Sequence, residues 1–592
     1  MNLSATIKSI QDIMRKDDGV DGDAQRIGQL AWMLFLKVFD QCEEGWEEDY
    51  ADRGETYASP IPDNCRWRNW AKYKDGKPQI APSKLADYVN NTVFPGLKEI
   101  NVDGNAVAKV VREVFADANN YMKSGTLLLG IIEKLDEAIN FHDIKTRGQL
   151  GTIYEQILND LRSAGNSGEF YTPRAVTEFM VKMVNPSLKK RETVLDPACG
   201  TGGFLTATID HFEQQLTKKS STEDRRAVGE CIRGIEKKQL PHLLCTTNIL
   251  LHGIEVPSMI EHRNTLAKGW NDWSPRERVD CVITNPPFGG MEDEGVGSDF
   301  PSDVQTRETA DMFLVLIVKK LLKDGGRGAV VLPDGTLFGE GVKAKVKRLL
   351  LDECNLHTII RLPNGVFNPY TGIKTNLLFF TKGQPTETIW YYEHRYPEGV
   401  KSYSKTKPLR VEELDPIKDW WGSEADGFTS RKETDQAWKI DFKTLKAESE
   451  AKAKPHWDKA EQLNNEAENC KGRVRYLRKL SSLLKTEKKP KQVLRDELKD
   501  IRKQLKANAE NIHLQNLEAI LSEAEGANNA LFSIDASIKK QTEQSTELTS
   551  EAKDAQAAGD RIFWPIYNLD IKNPRAPEGE THDPDKLLSQ LN

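Results

Sequence analysis

Apolar residues recur at helical spacing through the first 150 residues of the chain. Two series carry the pattern: Ile27, Leu30, Leu34 and Val38, and later Val107, Val110, Val111 and Val114. Residues three and four apart share one face of a helix, so each series predicts an amphipathic helix. The same region holds Trp32, Trp46, Trp67 and Trp70. We therefore expect residues 1–150 to form a helical domain with an aromatic core and no catalytic group.

Between residues 151 and 400, short β-branched runs alternate with helical patterns. The predicted strands are Thr193–Leu195, Cys231–Ile235, Val279–Thr284, Gly328–Leu332, His357–Arg361 and Thr375–Thr381. The predicted helices are Gly203–Leu216, Pro241–Leu251, Ala310–Leu322 and Lys343–Cys354. This alternation is typical of a parallel, doubly wound α/β sheet. The last two strands lie close together in sequence, which allows an antiparallel strand at the end of the sheet.

The remainder of the chain divides into a polar connecting segment, 401–441, and a charged helical region, 442–592. In the second of these, the seam of a coiled coil is marked by Leu494, Leu498, Ile501, Leu505 and Ile512. Pro490 predicts a break that separates an antiparallel pair of long helices. Because a narrow apolar seam on a polar helix must pack against something, we expect this coiled-coil region and its tail to dock onto a partner.

Composition narrows the choice of partners. The 592 residues include 83 Lys and Arg against 90 Asp and Glu, a net charge of -7. A protein that wraps DNA alone is usually basic. Three alternatives follow: DNA contact is confined to a local basic patch, a partner supplies it, or the protein never meets nucleic acid. The eight scattered cysteines form no C-x-x-C pair, and no signal peptide or membrane span is evident, so a cytoplasmic protein is expected.

The tetrapeptide Asn285-Pro286-Pro287-Phe288 directly follows an apolar strand. An exocyclic amine is a poor nucleophile, and two acceptors that hold its hydrogens pull the nitrogen toward tetrahedral geometry. The side-chain oxygen of Asn285 and the carbonyl of Pro286 are the candidate acceptors. The two prolines stiffen the turn, and Phe288 offers a flat face on which an extruded base can stack. The alternative is a rigid turn with no chemistry.

A glycine-rich block, Asp196-Pro-Ala-Cys-Gly-Thr-Gly-Gly-Phe-Leu205, lies where the first predicted strand turns into a helix. Glycines let the backbone approach a ligand, and the helix N-terminus supplies amide donors around Thr201, Gly202 and Gly203. Asp196 can accept the ammonium group of an amino-acid moiety. A phosphate-binding loop would instead contain lysine and no carboxylate, and the chain has no G-x-x-x-x-G-K-[ST] motif.

Three further positions are candidates for the same site. Glu236 ends the next predicted strand, where a carboxylate can hold both hydroxyls of a ribose, although a surface glutamate is an equal alternative. The amide of Asn264, close to Leu266, is a weaker candidate for contact with an adenine ring. Upstream, Phe170 and Tyr171 could wall a pocket.

That upstream block runs from Gly168 to Arg174. Its Thr172 can cap a helix that Pro173 starts. A plain helix start with no ligand is the competing interpretation of this heptapeptide.

Together these blocks resemble the N6-adenine DNA methyltransferases, in the motif order of the gamma class. The residues of these motifs are similar to those of the methylation subunits of type I restriction–modification systems. The matching pieces are Gly168–Pro173, Asp196–Leu205, Asn248–Gly253, Asn285–Phe288, Gly325–Pro333 and Ile566–Asp570. The resemblance covers most of residues 1–400. It implies a Rossmann-like class I methyltransferase sheet flanked by an N-terminal helical domain and a C-terminal helical region.

The resemblance also implies roles for individual residues. The binding site for the cofactor, S-adenosylmethionine, would be lined by Glu169, Phe170, Tyr171, Thr172, Pro173, Arg174, Thr201, Gly202, Gly203 and Glu236. Asp196 would meet its methionine end. The catalytic motif, Asn285, Pro286, Pro287 and Phe288, would hold a flipped adenine, and no metal is required. The implied partners are double-stranded DNA, one specificity subunit for two methylation subunits, and restriction subunits that hydrolyse ATP.

Competing functions remain at this point. Methylation of cytosine N4, or of a protein or RNA amine, is disfavoured because position 285 is Asn rather than Ser. A non-catalytic scaffold is disfavoured by the joint presence of Asn285, Asp196 and Glu236. A standalone enzyme would need a compact α/β recognition region after residue 400, whereas a helical hairpin would argue against it. The helical segment Lys452–Gly559 is longer than the resemblance leads us to expect.

Overall fold

The computed structural model describes residues 3–139, 154, 172–368, 371–404 and 406–575. The chain divides into two compact units, Met1–Asp441 together with Leu569–Asn592, and Phe442–Asn568. No helix among the described residues is both long enough and apolar enough to cross a membrane.

The N-terminal part of the first unit is helical, as predicted. Its helices are α1 (Leu3–Met14), α2 (Asp23–Asp52), α3 (Trp67–Trp70), α4 (Pro82–Tyr88), α5 (Phe94–Lys98), α6 (Ala106–Phe115) and α7 (Gly125–Ala138), with a π-helical turn at Val89–Val93. A two-stranded hairpin, β1 (Tyr73–Lys74) with β2 (Lys77–Pro78), interrupts them. Trp32, Trp67 and Trp70 are buried, and Trp32 makes an edge-to-face contact with Phe94 at 5.1 Å. The aromatic core is therefore present.

A nine-stranded mixed sheet forms the rest of the first unit. Its strands are β3 (Val194–Asp196), β4 (Ile232–Glu236), β5 (Ile260–His262), β6 (Val279–Thr284), β7 (Leu322–Pro333), β8 (Cys354–Arg361), β9 (Thr375–Lys382), β10 (Thr388–Glu393) and β11 (Ala437–Asp441). Their order across the sheet is β11-β10-β8-β9-β7-β6-β3-β4-β5. From β5 to β7 all neighbours are parallel, which confirms the doubly wound α/β fold.

Helices cover this sheet and connect its strands. They are α8 (Arg174–Val184), α9 (Gly203–Glu213), α10 (Thr222–Glu230), α11 (Gln239–Leu251), α12 (Thr309–Leu316), α13 (Asp334–Phe338), α14 (Val342–Glu353) and α15 (Asp415–Trp420), with a π-helical turn at Ile317–Leu321. Short 3-10 turns occur at Asp63–Cys65, Thr265–Ala267, Trp270–Asp272, Pro275–Glu277, Val411–Leu414 and Glu424–Asp426.

The antiparallel strand lies inside the sheet, so its predicted place at the end was wrong. β9 pairs antiparallel with β7 on one side and with β8 on the other. The short connection from β8 to β9 leaves no room for the crossover helix that parallel pairing needs. Beyond β8 the sheet continues through β10 and β11. Sequence patterns missed both strands, and β11 falls at the end of the predicted connecting segment.

Three neighbouring strands bring the predicted site residues to one edge. β6, β3 and β4 are parallel neighbours that end at Thr284, Asp196 and Glu236. Parallel neighbours present their carboxyl ends at the same side of a sheet. A Cβ at Gly234 would lie 2.8 Å from Leu205 Cδ1. This glycine therefore lets α9 pack closely on β4 behind that edge.

The second unit is entirely helical. Its helices are α16 (Phe442–Thr486), α17 (Pro490–Ala507), α18 (Ile512–Gly526) and α19 (Ala530–Phe563), followed by a 3-10 turn at Trp564–Tyr567. The two long helices, α16 and α19, run antiparallel, since Trp457 Nε1 donates to Asp560 Oδ1 at 3.1 Å while Ser481 Oγ donates to Asp535 Oδ1 at 2.8 Å. An antiparallel pair of long helices is present, but Pro490 does not separate its two members as predicted: it begins α17, and the second long helix begins at Ala530.

Two shorter helices between the long ones were not foreseen. The side chains of Asn511 and Asn529 accept hydrogen bonds from backbone amides and cap α18 and α19, so the chain turns where sequence periodicity suggested continuity. Along the predicted seam, Leu494, Leu498 and Ile501 are buried. Ile512 is instead exposed, and the single seam is replaced by a small four-helix core.

The last described residues return to the first unit. Leu569 N donates to Leu337 O at 3.0 Å, and Tyr391 OH donates to Leu569 O at 3.2 Å. Arg361 Nη1 donates to Ile571 O at 3.0 Å. The tail is thus tied to the sheet at β8 and β10.

Candidate active site

Asp196, at the end of β3, is fully enclosed. Its Oδ1 accepts hydrogen bonds from Thr284 Oγ1 at 2.7 Å and from Ala198 N at 3.1 Å. Burial raises the pKa of this carboxyl to about 7, although both hydrogen bonds oppose the shift. Such a buried acid is held in its charged form most readily by a cation, which agrees with the predicted contact to an ammonium group.

The glycine block forms a tight loop between β3 and α9. Gly200 and Gly202 have φ of 53° and 85°, in the left-handed region that side chains avoid. A Cβ at Gly202 would also lie 2.8 Å from Cys245 Sγ. Asn248, on α11, fixes the loop by donating from Nδ2 to Thr201 O at 3.1 Å.

Glu236 holds this loop from the neighbouring strand. Its Oε2 accepts from Gly200 N at 2.9 Å, and its Oε1 accepts from Lys238 N at 2.7 Å. The side chain is 7% exposed, and burial raises the pKa of its carboxyl. Glu236 is therefore a buried member of the edge and not a surface glutamate.

Asn285 follows Thr284 directly and faces the upstream block. Its Nδ2 donates to Thr172 Oγ1 at 3.0 Å. Its Oδ1 is buried and has no hydrogen-bond partner among the residues that the structure describes. A buried acceptor without a donor is costly, so this oxygen suits a ligand that brings an N–H group.

The other members of the motif differ in exposure. Pro286 is buried, Pro287 is exposed and Phe288 is half-buried. The Phe288 ring lies 6.4 Å from that of Phe367 in an edge-to-face arrangement. Phe367 belongs to the loop after β8 and was not singled out from the sequence.

Thr172 does not cap a helix, which corrects one expectation. The helix α8 begins at Arg174, and Pro173 occupies its N-cap position without a side-chain cap. The Thr172 hydroxyl is used by Asn285 instead. Arg174 is exposed and pairs with Glu178 and Asp210. The predicted site residues Glu169, Phe170 and Tyr171 lie outside the described residues.

A clamp beside the site was missed by sequence reasoning. Asn264 Oδ1 accepts from Leu266 N, and its Nδ2 donates to Glu292 Oε2, both at 3.0 Å. Glu292 also pairs with Lys237 at 3.0 Å. The amide of Asn264 is thus engaged by protein groups. No periodicity marks Glu292, whereas Thr284 had a signal, as the polar residue that follows the apolar run Cys281–Ile283.

A cleft lies next to Asn285, whose side chain is hydrogen-bonded to one of the residues that line it, Thr172. Thr172, Thr201, Gly203 and Asn248 line it, and the buried Oδ1 of Asn248 has no partner among the described residues. The two buried carboxylates, the backbone amides of the glycine loop and the two free acceptors are a set of hydrogen-bonding groups that fits a nucleoside with an amino-acid moiety. The edge can therefore hold such a cofactor beside an acceptor for an amine.

Comparisons with known proteins show to which enzyme family the chain belongs. A family model described as N-6 DNA Methylase matches residues 145–466, and one described as HsdM N-terminal domain matches residues 3–135. The chain belongs to the N-6 DNA methylase family.

Relatives place it further. The methylase subunit of the type I restriction enzyme EcoEI from Escherichia coli is 59% identical over 442 residues, which cover 74% of this chain and 87% of that protein. The corresponding StySPI subunit from Salmonella potsdam is 30% identical, over 73% of this chain and 78% of its own. A solved structure from a study of type I R-M complex assembly superposes with a TM-score of 0.66, at 36% identity, over 76% and 89% of the two chains.

This N-6 DNA methylase is a modification subunit of the type I class. It methylates adenine in DNA and takes the methyl group from S-adenosylmethionine. The family membership, the fold and the methyl-transfer chemistry inferred from the motifs are thereby confirmed. The residue-level roles remain predictions.

Proposed function

We propose that Asn285 and Pro286 hold the N6 amine of an extruded adenine, and that Phe288 stacks on its ring. The observation that carries this proposal is the buried, unpartnered Oδ1 of Asn285. The side-chain nitrogen of Asn285 already donates to Thr172 Oγ1 at 3.0 Å. The side-chain oxygen of Asn285 is therefore the atom that can accept a hydrogen from the amine. An acceptor fixed in advance costs no reorganisation when charge develops on the nitrogen.

The cofactor pocket would lie at the ends of the neighbouring strands β3 and β4. Asp196 would bind the ammonium group of S-adenosylmethionine, and Glu236 its ribose hydroxyls. The loop amides around Thr201, Gly202 and Gly203 would line its remainder. The bound cofactor supplies an activated methyl group on a sulfonium. The 2.7 Å bond between Thr284 and Asp196 links this pocket directly to the residue before Asn285, so the two halves are held in register.

The subunit acts, in this proposal, within a cytoplasmic assembly. Two copies would join one specificity subunit on double-stranded DNA, and restriction subunits could be added. The type I relatives support this reading. After residue 441 the second unit forms a helical hairpin and not a mixed α/β recognition domain, which argues against a standalone enzyme.

The test is adenine methylation in the native host. Replacement Asn285→Ala should abolish N6-methyladenine at one split target motif, because the amine loses an acceptor, while the complex with the specificity subunit still assembles. Asn271→Ala removes an exposed amide elsewhere in the first unit and serves as the matched control. Unchanged methylation in the Asn285 variant would refute its role. Loss at a short continuous motif would refute the separate specificity subunit.

A further inference from the structure

Charge is segregated within the second unit. Between residues 471 and 506 there are fourteen Lys and Arg against four Asp and Glu. Residues 507–568 show the opposite balance, with four basic and ten acidic residues. The whole chain has seven more acidic than basic residues. The end of α16, the turn after it and α17 therefore form a basic segment in an acidic protein.

Most of these cations form no ion pair with an acidic residue that the structure describes. Ten are exposed and lie in no ion pair with any described residue: Arg475, Arg478, Lys479, Lys485, Lys488, Lys489, Lys491, Lys499, Lys503 and Lys506. By contrast, Arg495 and Arg502 pair with Glu525 and Glu518 at 2.8 Å. These two pairs join α17 to α18 and leave the ten cations to solvent.

The basic segment is carried by helices that share a packed apolar core. The apolar core beneath it is formed by Leu477, Leu480, Leu484, Leu494, Leu498, Ile501, Leu517, Leu521, Ala524 and Ile534. Tyr476 bonds to Glu497 across α16 and α17, and Arg473 Nε donates to Gln541 Oε1 at 2.7 Å. Eight of the ten exposed cations thus stand on packed helices, and Lys488 and Lys489 lie in the short turn that joins α16 to α17.

We propose that this basic segment is a sequence-independent contact surface for the phosphate backbone of duplex DNA. Duplex DNA carries one negative charge per about 1.7 Å of its axis, and Lys and Arg bind it by releasing counterions. The protein acts on DNA although its net charge is negative, so a local basic surface is needed to offset repulsion. An acidic protein surface is the competing occupant, and the experiment separates the two.

The experiment uses the full chain assembled with its specificity subunit. Binding to a fluorescent 40-base-pair duplex that lacks the recognition sequence is followed by anisotropy from 50 to 250 mM NaCl. The variant combines Lys485→Gln, Lys488→Gln, Lys489→Gln and Lys491→Gln. We expect duplex affinity to fall at least about tenfold near physiological salt, and the salt slope to shrink by about 0.9 for each phosphate that the variant no longer neutralises. Turnover at saturating target DNA should not change.

A matched control removes four exposed lysines of the same unit that lie outside the basic segment. It combines Lys452→Gln, Lys454→Gln, Lys459→Gln and Lys553→Gln. The first three lie in residues 442–470, which hold five basic and six acidic residues, and Lys553 lies in α19. Helix content by circular dichroism confirms that both variants fold. Equal salt slopes for the two variants would overturn the proposal. An unchanged slope with loss of the specificity subunit on co-elution would also overturn it, in favour of a protein partner.

Discussion

The edge of the sheet and the basic segment of the helical unit use polar side chains in opposite ways. At the edge, Asp196, Glu236 and Thr284 are buried, and each makes a short, directed hydrogen bond. The side-chain oxygen of Asn285 has no hydrogen-bond partner among the described residues. In the helical unit, ten cations are exposed and share no such geometry.

The difference predicts how each region responds to change. A buried, directed contact cannot be replaced by a neighbour, so one substitution at the edge should alter chemistry strongly. Exposed cations act through the sum of their field, and solvent and salt weaken each one. A single substitution at the edge should therefore impair methyl transfer, whereas DNA affinity of the basic segment should fall only in proportion to the charge removed.

The largest effect that sharpens this comparison is expected for Thr172→Val. The variant keeps the shape of the side chain but removes the oxygen that accepts from Asn285 Nδ2 at 3.0 Å, so the amide is free to turn. We expect kcat to fall by about 10- to 100-fold, the range for a misplaced catalytic group. KM for S-adenosylmethionine should stay nearly constant in steady-state methylation assays.

Thr172→Ser retains the hydroxyl and should restore most of kcat. A rise in KM for the cofactor with little change in kcat would show instead that Thr172 contacts S-adenosylmethionine. That result would leave the role of Asn285 untouched, since Asn285→Ala reports on it separately.

A smaller effect is expected from pH at Asp196. Its pKa is raised to about 7 by burial, and only the ionised carboxylate attracts an ammonium group. Cofactor affinity, measured by calorimetry between pH 6 and 8, should therefore fall as the pH drops below 7, by up to about tenfold per unit. The pH dependence of folding stability has the opposite sign. The unliganded protein should lose stability as the pH rises from about 4 to 7, because the raised pKa of Asp196 favours the protonated folded state.

Asp196→Asn should bind the cofactor weakly and without this pH dependence. Asp280→Asn is the control, since Asp280 lies near the start of β6 and bonds to Thr193 and Lys323. If the affinity of the wild type were flat across pH 7 while Asp196→Asn still bound weakly, the carboxyl would be ionised throughout that range.

The two regions were also unequally readable from the sequence. Asp196, Gly202 and Asn285 stand in short motifs that each follow a predicted strand, so the predicted strand ends bring them to one edge of the sheet. The link from Asn285 to Thr172 could not be predicted, because it joins residues 113 positions apart. β11 was missed because its pairing with β10 is a tertiary contact, whereas its own alternation is brief.

In the helical unit, periodicity predicted helices but not their number. The caps at Asn511 and Asn529 decide where α18 and α19 begin, and such asparagines occur equally in loops. Net charge over the whole chain concealed the basic segment, which becomes visible only when charge is counted along the helices.

The smallest effect, and the one that separates the regions most clearly, is expected for Lys488→Gln alone. This exposed lysine has no ion pair among the described residues, so its replacement removes at most one phosphate contact. Duplex affinity should fall by no more than about fivefold at 0.15 M salt, with a slope change of at most about 0.9. Methylation turnover should be unaffected. A decrease as large as that of the four-lysine variant would mean that Lys488 makes a specific, directed contact. The basic segment would then resemble the sheet edge, and the contrast between distributed and directed contacts would fail at this position.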